Sequence, residues 1–188
     1  MSQQITFQQS IETSRELIEK LESKSLPDSQ ARAAIAEYLS DMATARGFFV
    51  SLLTGDWSFG NNIPMIVIET IRSNPGHAYT LLTRNLVMSC ATAVVHKRSE
   101  QPDLAKGSDR VAERSAYIIK KLDNPEILNE LLDIRRACED KLNDNDTSEN
   151  DSGTYRAFLE RWSYDLEQIR AARDCVNHTI DELQHHRN

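Results

Sequence analysis

The sequence predicts an all-α protein: a single-domain helical bundle of five to seven helices with a long C-terminal helix. Apolar residues recur every three or four positions along most of the chain, which is the spacing that lines one face of a helix. Glycine and proline are few, six and five among 188 residues, so long helices can run without interruption. The length suits one domain, over 1–188, with a full core.

The first half of the chain predicts three helices with clear breaks between them. Apolar residues at helical spacing predict a helix over 4–24. A proline followed by Asp28 and Ser29, both good N-cap residue types, ends that helix and begins the next. The second helix, over 29–54, carries a wide apolar stripe that is typical of a central position. A loop rich in glycine and asparagine then precedes a short helix over 65–72.

The second half predicts four longer helices, over 77–98, 102–121, 125–142 and 154–184. The first of these is apolar on most faces, which indicates a buried helix. Prolines begin the next two, as is common at the first helical position. The segment at about 143–153 is acidic, low in complexity and without apolar residues, so it predicts a flexible loop before the last helix.

The overall charge argues against a protein that holds nucleic acid by bulk attraction. The net charge is −7 and the pI is about 5.3, so any RNA contact would depend on a local cluster of residues. No phosphate-binding glycine loop, dinucleotide fingerprint or zinc spacing of Cys and His is present in the sequence. The sequence therefore predicts no cofactor and no metal.

The cysteines and the N-terminal sequence favour a cytoplasmic protein. Cys90, Cys138 and Cys175 are odd in number and widely spaced, which does not indicate a disulfide framework. The first residues lack the basic and apolar regions of a signal peptide. The longest apolar stretch, around 86–95, is too short to span a bilayer, so no membrane association is expected.

One short segment in the last predicted helix, RDCVNH at 173–178, carries a recognisable chemistry. Histidine moves protons near neutral pH, and arginine holds a phosphate and stabilises charge as it develops. Asp174 and His178 are four residues apart and share a helix face, so Asp174 could orient the imidazole. Arg173 and His178 are about 140° apart around a straight helix, so either the helix bends or two protomers combine their residues.

The same segment resembles the signature of the HEPN superfamily: an arginine, four to six residues and a histidine, usually with Asn, Asp or His after the arginine. The resemblance covers these six residues and the helical character of the chain. It implies a metal-independent endoribonuclease that acts as a homodimer, with two motifs facing each other across a cleft. By position, His178 would be the general acid and base, Arg173 the phosphate contact and Asp174 the polar orienting residue. Many members are toxins or phage-defence proteins, often with a nucleotidyltransferase-like antitoxin as partner.

A second interpretation makes the chain a non-enzymatic helical interaction or scaffold protein. The apolar seam of the last predicted helix runs through positions 162, 166, 169, 173, 176 and 180. Arg173 falls on this seam, where a charge is costly unless it is paired. It would then form a structural salt bridge, or its stem would lie along the core while its head reaches water. The last helix would dock a partner protein, whereas a basic rim around the motif would favour the nuclease.

Two further patterns in the same helix are weaker. Glu182 and His185 have the spacing used in di-iron bundles, but the chain holds no second copy of that pattern. Cys175 and His178 could form a thiolate–imidazolium pair, although a cysteine near a helix seam more often acts as a small hydrophobe. Neither pattern predicts a site of its own.

Overall fold

The fold class is confirmed by a computed structural model, which describes residues 6–143 and 153–186. Those residues form nine helices and no strand, and the last helix is among the longest. The helices are α1 Phe7–Glu22, α2 Asp28–Leu39, α3 Met42–Thr54, α4 Met65–Ser73, α5 Ala78–Arg98, α6 Pro102–Leu122, α7 Pro125–Leu142, α8 Gly153–Arg161 and α9 Leu166–His186.

Two predicted helices are each divided in two by an aspartate that caps a new helix. The helix predicted over 29–54 becomes α2 and α3, and the helix predicted over 154–184 becomes α8 and α9. The Asp41 carboxylate accepts hydrogen bonds from the backbone N–H groups of Ala43 and Thr44, at 2.8 and 3.3 Å, and so begins α3. Asp165 begins α9 in the same way. Ser163, just before it, has a left-handed backbone with φ of 50°, which cannot continue α8.

The break between α8 and α9 shortens the apolar seam that was predicted for the last helix. Trp162 and Leu166 were expected on that seam, but their exposed fractions are 49% and 51%. The buried seam begins only at Ile169, inside α9, and continues through Val176 and Ile180. The sequence pattern therefore has the right period but extends one turn too far.

The chain separates into two compact units, Met1–Leu82 and Thr83–Asn188. The single domain expected over 1–188 stays a prediction. Most of the predicted acidic loop, 144–152, lies outside the described residues. The boundary between the units falls within α5.

In the first unit, α1 packs against α3 at very short range. A Cβ atom placed on Gly47 would lie 1.8 Å from Ser10 Oγ, so only glycine allows the two helices to approach this closely. One turn along α3, the Ser51 hydroxyl donates a 2.8 Å hydrogen bond to the backbone carbonyl of Ile11. The apolar core of this unit includes Phe48 and Ile68, both fully buried.

In the second unit, α7 packs against both α8 and α9, and α6 also contacts α9. The Glu130 carboxylate on α7 accepts hydrogen bonds from two hydroxyls, Thr83 on α5 at 2.9 Å and Tyr155 on α8 at 2.8 Å. Burial and the neighbouring Glu130 charge raise the pKa of Tyr155 above its ordinary range. This phenol therefore acts as a hydrogen-bond donor that ties α8 to α7.

Helix α5 is the one helix in the described part of the chain that is long and apolar enough to cross a membrane. It is 21 residues long and therefore longer than the apolar stretch around 86–95 that the sequence shows. Half of its most apolar window is buried inside the protein.

Candidate functional site

The candidate site lies on α9, and α5 holds the beginning of that helix. The Asp165 carboxylate caps α9 by accepting hydrogen bonds from the backbone N–H groups of Glu167 and Gln168, both at 2.9 Å. The Arg98 guanidinium at the end of α5 donates to Asp165 at 2.5 Å and also to Glu167. The Gln168 amide donates to the carbonyl of Ala91 at 3.3 Å. Early residues of α9 thus meet late residues of α5, so the two helices run antiparallel.

We expect this anchor to weaken in acid. Hydrogen bonds, first from Arg98 and then from the Gln168 N–H, lower the pKa of Asp165 to about 2. A carboxyl group with a lowered pKa in the folded protein stabilises it above the unfolded pKa of about 3.9, and that stability is lost as the pH falls towards 2. Asp165→Asn keeps an N-cap side chain but removes the charge.

The measurement is thermal unfolding of wild type and Asp165→Asn across this pH range. The wild type should be the more stable protein near neutral pH, and the difference should shrink to nearly nothing by about pH 2. A difference that stays constant with pH would show that the Asp165 charge does not stabilise α9.

Arg173 lies where α9 faces α7, and its head group is paired. Its Nε and Nη2 atoms donate to Asp174 Oδ1 at 2.9 and 2.7 Å, and 32% of its side chain is exposed. Burial raises the pKa of the Cys138 thiol on α7 to about 12, and the nearby positive charge of Arg173 opposes that rise. The Arg173 charge therefore lies near α7, is paired with Asp174 and is partly exposed to solvent.

His178 points to solvent and has a carboxylate beside it. Its side chain is 76% exposed, and its Nε2 lies 3.9 Å from Glu182 Oε2 on the next turn of α9. The other oxygen of Glu182 accepts a 2.9 Å hydrogen bond from Lys120 Nζ on α6. The carboxylate beside the imidazole is thus Glu182, while Asp174, which spacing suggested for that role, bonds Arg173.

The sequence reasoning missed two residues of this cluster. Glu182 follows His178 by four positions, the same helical spacing that drew attention to Asp174, so it was detectable. Lys120 comes from α6, and no local pattern connects it with α9. Only the packing of α6 on α9 places the lysine there.

One copy of the chain does not direct Arg173 and His178 at the same point. The helix α9 is continuous from Leu166 to His186, and five positions correspond to about 140° around its axis. The guanidinium is on the side of α7, whereas the imidazole faces solvent. A single phosphate bound by both groups would need one residue from each of two copies.

The exposed face of α9 is acidic. Between Leu166 and His185, its exposed charged residues are Glu167, Asp174 and Asp181, with Arg170 as the basic one. Arg98 pairs with Glu167 and Arg173 pairs with Asp174, so α9 carries no excess of positive charge for RNA phosphates. The basic rim that would favour a nuclease is therefore not formed by α9 itself.

Within 6–143 and 153–186, no group of three or more His, Cys, Asp or Glu side chains is placed to hold a metal ion. Glu182, which the sequence pairs with His185 in a di-iron spacing, bonds Lys120 instead, and the His185 ring bonds the carbonyl of Asp181 at 2.7 Å. These residues thus interact with protein groups.

Two cysteines are joined, contrary to the expectation from their spacing. Cys90 on α5 and Cys175 on α9 form a disulfide, with Cα atoms 6.7 Å apart, within the range such bridges span. They are 85 residues apart in sequence, and the antiparallel packing of α5 and α9 brings them together. Cys138 is free and fully buried. The Cys175 sulfur is therefore not available to His178 as a thiolate.

Comparison with known proteins places the chain in one family. The sequence model of that family matches residues 6–179, which includes all of α1–α8 and the motif 173–178. No curated protein and no solved structure matches the chain. The chain belongs to the family described as Uncharacterised conserved protein UCP020893.

Proposed function

We propose that this protein is a HEPN-like, metal-independent endoribonuclease whose site is completed between two copies of the chain. The observation that carries the proposal is the environment of His178. Its imidazole is 76% exposed, so a substrate can reach it, and the Glu182 carboxylate lies 3.9 Å from its Nε2. An accessible imidazole beside a fixed carboxylate is the arrangement used by general acid–base catalysts.

Each residue has a stated part in the cleavage. His178 takes the proton from a ribose 2′-hydroxyl, whose oxygen attacks the adjacent phosphorus. The bond from phosphorus to the 5′-oxygen breaks, and that oxygen leaves with a proton from an imidazolium. Arg173 stabilises the charge on the phosphate, and Asp174 holds the guanidinium in place at 2.7 Å. The products are a 2′,3′-cyclic phosphate and a 5′-hydroxyl, and no metal takes part.

A homodimer supplies what one copy lacks. Because Arg173 and His178 diverge on α9, Arg173 of one copy acts opposite His178 of the other. The acidic surface of α9 also gives a basic partner protein, such as an antitoxin, a face to cover. RNA as substrate agrees with a cytoplasmic toxin or defence protein.

The test is cleavage of an end-labelled RNA by purified protein in EDTA. We expect His178→Ala to lower the rate by at least about 100-fold, because general acid–base catalysis contributes that much or more. His185→Ala is the matched control, since this exposed histidine is on the same helix and its ring bonds the Asp181 carbonyl. If wild type and His185→Ala produce cyclic phosphate ends and His178→Ala does not, the result supports His178 as the general acid and base. Equal cleavage by all three proteins would reveal a contaminating nuclease.

A helical interaction protein without activity is the second candidate, and a specific observation favours it. Arg173 already pairs with Asp174, and the exposed face of α9 is acidic, so the motif resembles a structural ion pair on a docking face. Absence of cleavage by concentrated wild type across several RNAs, with the fold intact, would favour this candidate. Binding of a basic protein lost on reversing the charge of Asp181 would then support it.

A further inference from the structure

The disulfide joins α5 to α9 inside the candidate motif. Cys175 follows Arg173 by two residues and precedes His178 by three, so the bridge fixes the helix between the two residues of interest. Along the antiparallel pair, the contacts of Arg98 with Asp165 and of Gln168 with Ala91 hold only the beginning of α9. The covalent bond extends that attachment by two turns.

The two bridged cysteines differ from the third in accessibility. Cys90 and Cys175 are half-buried, so part of each bridged residue is exposed to solvent. Cys138 on α7 is fully buried, and burial raises the pKa of its thiol to about 12. A reagent that acts on accessible sulfur therefore distinguishes the bridge from Cys138 in the same molecule.

We propose that the Cys90–Cys175 bridge is a reversible thiol–disulfide site for small thiols of the glutathione class, and that its reduction releases the second half of α9 from α5. A thiolate of the small molecule attacks one bridge sulfur and forms a mixed disulfide, and the other sulfur leaves as a thiolate that takes a proton. A second small thiol displaces the remaining cysteine. Two small thiols are oxidised to one small disulfide, and the bridge is reduced to two cysteines. The small disulfide re-forms the bridge by the reverse steps.

The first test counts thiols in the folded, full-length protein. The protein is equilibrated with reduced and oxidised glutathione in varying ratio, alkylated with iodoacetamide and weighed by intact mass spectrometry. We expect one step of two alkyl groups as the reduced form increases, with Cys138 modified only after denaturation. Cys138→Ala, the matched control, should show the same step. A bridge that resists reduction until the chain unfolds would overturn the proposal.

The second test asks whether reduction frees α9. Hydrogen exchange of residues 170–186 should become at least tenfold faster in the reduced protein, while exchange in α1–α4 stays unchanged. Cys90→Ser with Cys175→Ser should reproduce the reduced pattern. Unchanged exchange in α9 after reduction would show that the bridge does not control this helix. Neither readout involves RNA, so the outcome is independent of the proposed nuclease activity.

Discussion

Mixing Arg173→Ala and His178→Ala subunits, each inactive alone, is expected to restore RNA cleavage. If Arg173 of one copy acts with His178 of the other, a mixed dimer contains one site with both residues intact. Random exchange makes half of the dimers mixed, so the mixture should reach about a quarter of wild-type activity. The measurement is the rate of end-labelled RNA cleavage in EDTA after the variants are co-refolded or co-expressed.

The control for this experiment is the double variant Arg173→Ala, His178→Ala mixed with either single variant. Such mixtures contain no intact site under a two-protomer arrangement and should stay inactive. Failure of the two single variants to complement, while both form mixed dimers by native mass spectrometry, would place the two residues in one copy or remove one of them from the chemistry.

Gly47→Ala is expected to destabilise the first unit. The new Cβ would lie 1.8 Å from Ser10 Oγ and 3.0 Å from the backbone nitrogen of Ile11. The hydroxyl can rotate, but the backbone cannot, so α1 and α3 must separate and lose contact along their length. We expect a loss of about 1–3 kcal/mol in the free energy of unfolding, as overpacked cores show, measured by denaturant titration.

Gly107→Ala is the matched substitution in a helix without this constraint. Nothing lies within 4 Å of the position of its Cβ, so the helix propensity of alanine should act alone and stabilise the protein by about 0.5–1 kcal/mol. Equal effects of the two substitutions would show that the approach of α1 to α3 does not depend on glycine.

The sequence predicted the fold class well because apolar periodicity reports helices directly. Where it failed, a local hydrogen bond prevailed over that pattern. The carboxylates of Asp41 and Asp165 each begin a new helix inside a region whose apolar spacing continues, and spacing alone does not show which aspartate will cap. The exposed Trp162 is the clearest result of that failure.

The candidate site was less predictable, since its geometry depends on contacts between distant helices. The motif drew attention to Arg173 and His178, and helical spacing correctly placed them on different sides of one helix. Helical spacing could not show which carboxylate lies beside the His178 imidazole, because Asp174 precedes it by four residues and Glu182 follows it by four. The bridge between Cys90 and Cys175 arises from tertiary packing, which the cysteine spacing did not reveal.

The wide separation of the bridged cysteines has a consequence for synthesis of the chain. Cys175 is translated 85 residues after Cys90, which at about 5–20 residues per second is a delay of roughly 4 to 17 seconds. The helices of the first unit contact near neighbours in sequence and can form during that interval. The Cys90 thiol, in contrast, has no partner in the nascent chain until Cys175 has been synthesised. During this interval Cys90 can form disulfides with other thiols.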